Sequence, residues 1–227
     1  MVWDLRASSP GPVNFYTPNP DNPYDGKETG QLVLPGTYNV SLSTFEDGVI
    51  THLAGPTSFV VKSLNNASLP ATDKKEYSEF CTKVAEARRV AGGVSEYRNE
   101  LANRIKYLKA ALLETPKAGA DLIRQLHLMN ERLQAITLRL NGDASLAKRE
   151  FEVPPSVNDR INTIEGGLWV STAAPTTTYR TSLDIATRQL KQIITELRQL
   201  SGDLTAFENG LENIRAPWTP GRLPDFK

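Results

Sequence analysis

Residues 179–211 read YRTSLDIATRQLKQIITELRQLSGDLTAFENGL, and the apolar positions step by three and four: Tyr179, Leu183, Ala186, Leu190, Ile193, Leu197, Leu200, Leu204, Phe207 and Leu211. That spacing lays one apolar seam along one side of a helix, and a seam has to be buried against other seams. Two more runs match it. Tyr77, Phe80, Val84, Ala87, Ala91, Val94, Leu101, Ile105, Leu108 and Leu112 form one, with a polar break at Arg98, and Leu122, Leu126, Met129, Leu133, Ile136 and Leu140 form the other. Together they predict a long antiparallel helical bundle over residues 71–215.

The ends of its helices are marked by capping and breaking residues. Asp73, with Glu76 three residues on, suits a capping box for a first helix reaching about Leu113, with Gly92-Gly93 as its weakest point. Pro116 stops it, and a second helix runs from Ala118 to Asn141 with Gly142 at its end. Ser156 caps a shorter third helix carrying Val157, Ile161, Ile164 and Leu168, which Ala173-Ala174-Pro175 closes. One of Thr176 to Thr178 caps the fourth, which continues to about Ile214. The first and fourth are of similar length, and the second and third together make up that length. Two topologies satisfy this: three rods with a broken middle rod, or four helices alternating up and down.

Upstream the period falls to two. Leu32 to Leu34 is a short apolar run, Pro35-Gly36 a turn, and Tyr38, Val40 and Leu42 alternate with Asn39, Ser41 and Ser43. Asp47-Gly48 suits a tight hairpin into residues 49–54, and Gly55-Pro56 is expected to break the pairing before residues 57–62, where Phe59 and Val61 share a face. The expectation is one antiparallel sheet of four or five strands. An immunoglobulin-type sandwich needs about seven strands, so residues 1–66 read as a partial immunoglobulin-like β domain whose remaining strands are expected upstream of Val2. Its Pro-rich loop, residues 7–30, carries Phe15, Tyr16 and Tyr24, expected to cover a sheet edge or the bundle seam rather than recognise a ligand. The predicted class is α+β, mainly α: a partial immunoglobulin-like antiparallel sandwich, then a long antiparallel bundle of three or four helices.

The 227 residues carry 26 basic and 26 acidic side chains, so nothing in the charge points to nucleic acid as a partner. Lys, Arg and Glu mix along the polar helix faces as solvated surfaces do. Cys81 is the only cysteine and lies beside an apolar seam, which suits a packed thiol rather than a reactive one. No apolar run reaches the roughly 18 residues of a membrane span. His52 and His127 lie far apart, and neither is read with a partner at metal-ligand spacing. No nucleophile elbow or phosphate-cradling glycine turn occurs, and the acid pairs Asp21 with Asp25 and Glu46 with Asp47 fit turn chemistry. No catalytic, cofactor or metal residue is therefore predicted. The tail, residues 216–227, holds three prolines with Trp218, Arg222 and Phe226, and is expected to lie along the bundle as an extended strap that buries its rings.

Trp3-Asp4-Leu5-Arg6, then Leu34-Pro35-Gly36-Thr37-Tyr38, the Pro155-Ser156-Val157 helix start with Arg160, the Ala174-Pro175-Thr176 turn, and Pro217-Trp218-Thr219-Pro220-Gly221-Arg222-Leu223-Pro224 occur in that order. In this they resemble the C-terminal region of large secreted bacterial proteins with sortilin-like β-propellers of BNR (Asp-box) repeats, often labelled glycosyl hydrolases. The resemblance covers nearly the whole chain, and its motifs are short. It implies a non-catalytic C-terminal structural or interaction module whose partner is the upstream β-propeller of the same chain, with another protein or a glycan as further partners. It also implies a place outside the cytoplasm: secreted, periplasmic or at the cell surface. The chain has no Ser-x-Asp-x-Gly-x-x-Trp pattern, so no catalytic residue carries over. After the last strand it has Ser63-Leu64-Asn65-Asn66 where many such proteins have Asp-Pro-Arg. Two alternatives stand beside this reading: a glycoside hydrolase accessory region whose loop from Pro10 to Gly30 completes the propeller site, and an oligomerisation module whose heptads pair between chains.

Overall fold

The structure, a computed structural model, describes residues 3–13, 15–22, 25–26, 29–64 and 72–223. The expected domain boundary near residue 66 lies outside those residues. The elements in order are β1 (Arg6–Ser8), β2 (Thr29–Leu32), β3 (Gly36–Glu46), β4 (Val49–Val61), α1 (Lys74–Leu113), α2 (Ala120–Asn141), α3 (Ala144–Ala147), α4 (Val157–Val170) and α5 (Thr177–Asn213). Helix makes up 56% of the described residues and strand 15%, so the fold is mainly helical, with antiparallel strands.

The three seams close on one another within a single chain. Leu101, Leu108, Leu140, Ile161, Ile193, Leu200 and Leu204 are fully buried in one continuous apolar core. Truncating any such leucine to alanine costs about 2–5 kcal/mol, because the removed atoms leave a cavity that helices this regular cannot fill.

Of the two topologies open from sequence, the structure adopts three rods. Glu76 with Arg180, Tyr97 with Ser201 and Arg104 with Glu208 all join α1 to α5, and all three pairs are 104 residues apart. A constant offset means that α1 and α5 run parallel and in step. Arg132 meets Asp203 and Arg139 meets Glu196, so α2 runs antiparallel to α5. Tyr77 bonds the Leu168 carbonyl while Arg88 bonds Asn162, so α4 is antiparallel to α1. The middle rod is therefore α2 followed by α4. They meet where Asn158 donates to Asn141 at 2.8 Å and where Gly142, at φ 77°, turns the chain against Ser156. The short α3, absent from the sequence reading, lies in this break.

Most helix ends follow the expected chemistry. Asp73 accepts from the Lys75 and Glu76 amides, Thr176 accepts from the Tyr179 amide, and Ser156 with Asp159 closes a full capping box. Glu76 does not reach back to Asp73; its carboxylate pairs with Arg180 at 2.8 Å. The double glycines do not break their helices. Pro12 of the N-terminal loop packs on Gly92, and a Cβ at Gly167 would fall 2.1 Å from the Tyr179 hydroxyl.

The strands depart from the single sheet expected. They form two separate antiparallel pairs, β1 with β2 and β3 with β4. Asp47 and Gly48, at φ 49° and 81°, make the predicted turn. Gly55-Pro56 does not end the returning strand: β4 runs through it, and the register shifts absorb the extra residues as bulges. Gly55 sits at φ 94° with Val40 carbonyl oxygen 2.6 Å from where a Cβ would stand, so only glycine fits.

Candidate functional site

The described residues among those singled out by sequence fall in two separate places, the N-terminal loop and the C-terminal strap, and do not form one site. At the far end, α5 stops at Asn213 and Arg215 adopts φ 54°, folding the tail back. The Trp218 indole N–H donates to the Arg222 carbonyl at 2.7 Å, Arg222 Nη1 donates to the Pro217 carbonyl at 2.9 Å, and Arg222 Nη2 pairs with Glu212. Arg222 and Thr219 are buried, so the strap does dock. The expectation that Trp218 buries its ring is corrected: its indole N–H is turned into this loop and 60% of the residue stays exposed. Phe226 lies outside the described residues.

Beside the strap, Arg104 grips Glu208 with two hydrogen bonds, Nε to Oε1 at 3.0 Å and Nη2 to Oε2 at 2.7 Å. The Glu208 carboxylate holds the guanidinium above its ordinary range. Every charge in this cluster has a partner, which suits a lock between α1, α5 and the strap.

At the near end the Pro-rich loop corrects a second expectation. Phe15 is 99% exposed and covers neither a sheet edge nor the seam. Tyr16 donates to the Asp25 carboxylate, which raises the phenol above its usual range and holds Asp25 below its own. That contact closes the loop on itself. Tyr24 lies outside the described residues.

The histidines need one amendment. His127 does have an acid one turn on, and its Nε2 lies 3.3 Å from Glu131, although both side chains are well exposed. Among the described residues, no group of three or more His, Cys, Asp or Glu side chains is placed to hold a metal ion, and no helix is long and apolar enough to cross a membrane.

Two features stand apart from these residues. One is the expected β3–β4 hairpin, whose Val40, Leu42, Phe45, Val49, Ile50, Leu53 and Val60 are each more than half exposed. Its strands pair with each other, and no extensive contact joins them to a helix. Its base is held by Trp3, which packs edge-on against Tyr38 and Phe59 at 5.7 and 6.0 Å. Alternation had signalled one buried face, whereas both faces of the ribbon are largely open. The other is a cleft of about 480 Å³ between the β1–β2 ribbon, α1 and α4, into which Arg6 extends. Its walls come from segments far apart in sequence, so no local pattern announces it. No protein-family model, curated protein or solved structure matches the chain.

Proposed function

We propose that this chain is a non-catalytic C-terminal structural and interaction module of a secreted, sortilin-like β-propeller protein of the kind labelled glycosyl hydrolase. The bundle serves as a rigid brace, and the β3–β4 hairpin belongs to an immunoglobulin-like sandwich completed by strands upstream. The observation that carries this reading is the hairpin itself. A lone two-stranded ribbon is marginal in water, and this one exposes seven large apolar side chains and has no extensive contact with a helix among the described residues. Such a surface fits a β-rich neighbour that covers it. The oligomerisation reading gains nothing from the heptads, since their seams are already buried within one chain.

Amide hydrogen exchange tests the proposal. In the isolated chain the hairpin amides exchange orders of magnitude faster than those of α1 and α5, and they become protected when the chain is extended by its natural upstream region. A hairpin as protected as the bundle in the isolated chain would sink the reading. So would glycan cleavage by the isolated chain that is lost on changing one or two of its acidic residues.

A further inference from the structure

The cleft beside β1 holds a cation with no acidic partner among the described residues. Arg6 is half-buried, with its guanidinium carbon 3.5 Å from the centroid of the Trp169 ring and Nη1 donating to the Gly30 carbonyl at 3.2 Å. Among the described residues it makes no ion pair, although an arginine fork has five donors arranged to grip a carboxylate. The only acid on the cleft wall among the described residues, Glu165, lies 3.6 Å from Arg88, whose charge offsets it. The rest of the lining is mostly apolar, with Leu32, Val84, Leu168 and the Trp169 ring facing the same space.

We propose that this cleft binds a small organic carboxylate with an aromatic or short aliphatic body, its charge taken by Arg6 and its body lying against Leu168, Val84 and Leu32. A volume of about 480 Å³ falls in the range of ligand pockets, which pair an apolar lining with a few placed polar groups. Burial pushes the Tyr77 phenol far up and the Cys81 thiol up as well, and both line the floor of the cleft. A guanidinium–carboxylate pair gains strength where water is scarce. Trp169 keeps the fork in place by stacking on it, so little side-chain freedom is lost when an anion arrives.

Titration of the whole chain with benzoate and hexanoate, followed by calorimetry and tryptophan fluorescence and compared with benzamide and hexanamide, tests this. Saturable binding of the acids is expected, with the neutral amides weaker by about tenfold or more. Arg6→Gln should erase that preference and leave amide binding unchanged. Ala85→Trp, which fills the cleft from α1, should abolish binding of both while the thermal midpoint of the bundle holds. Equal affinity for acid and amide in the parent chain overturns the proposal, as does full carboxylate binding by either variant or no saturation by either acid at about 10 mM, the weak limit for a pocket this size.

Discussion

Replacing Glu208 with alanine should destabilise the bundle by about 3 kcal/mol, a figure that follows from what is left behind. The Glu208 side chain is 5% exposed and that of Arg104 is 15% exposed, so the substitution strands a nearly buried guanidinium without its two carboxylate bonds. Breaking a buried pair on one side typically costs about 3–5 kcal/mol. The low end applies because Arg104 Nη2 keeps a 3.2 Å bond to the Thr205 hydroxyl and retains some contact with solvent. Urea unfolding followed by circular dichroism reads the effect as a midpoint lowered by about 1 M or more, given slopes of about 2–3 kcal/mol per molar for a chain of this size. The decisive comparison is the double variant Arg104→Met with Glu208→Leu. It removes both charges together, so the stranded guanidinium disappears and the variant should lie within about 1 kcal/mol of the parent. A single variant costing under about 1 kcal/mol, or a double variant as damaged as the single, would refute the claim that burial of an unpaired charge sets the cost.

Four further outcomes follow from the structure. Gly167→Ala places a methyl group 2.1 Å from the Tyr179 hydroxyl and should destabilise by about 1–3 kcal/mol. Gly202→Ala, with nothing within 4 Å and a helix interior around it, should stabilise by about 0.5–1 kcal/mol; thermal melts distinguish the signs. Cys81 is 5% exposed and its thiol is pushed up by burial, so at pH 8 it should react with a disulfide reagent about a hundredfold more slowly in the folded chain than in urea; equal rates would remove the packed-thiol assignment. The Glu196 carboxylate is held below its ordinary value by Arg139, so its contribution is present above the unfolded value near 4.5 and is lost as pH falls through the lower folded value. Both side chains are more than a third exposed, so the loss should stay under about 1 kcal/mol, and it should vanish in Glu196→Gln when urea midpoints at neutral and acid pH are compared.

The helices were legible because a period near 3.5 and a capping residue are local signals. Leu183 to Leu211 announce α5, and Asp73, Ser156 and Thr176 mark where three helices begin. Direction and partner were not legible, since a seam at Leu101 reads the same whichever rod it faces. The parallel match of α1 with α5 shows only in contacts such as Tyr97 with Ser201, 104 residues apart. Strand alternation likewise gives faces without partners, so Tyr38 and Val40 suggested one sheet where there are two pairs. The ring area of Trp218 predicts burial, whereas the strap satisfies its indole N–H and leaves the ring largely in solvent. Arg6 over Trp169 joins residues too distant for any pattern to link.

The constant offset between α1 and α5 also determines how the molecule bears load. The hairpin lies at the start of α1 and the strap at the end of α5, with a rod of 40 residues, about 60 Å long, between them. Tension applied across those points cannot peel the helices apart one turn at a time. It drives α1 and α5 past each other in shear, so Glu76–Arg180, Tyr97–Ser201 and Arg104–Glu208 must yield together with the apolar seam between them. An up-and-down bundle pulled from two neighbouring helix ends would unzip instead. This geometry resists extension along its axis far more than separation across it, which is the property of a tie.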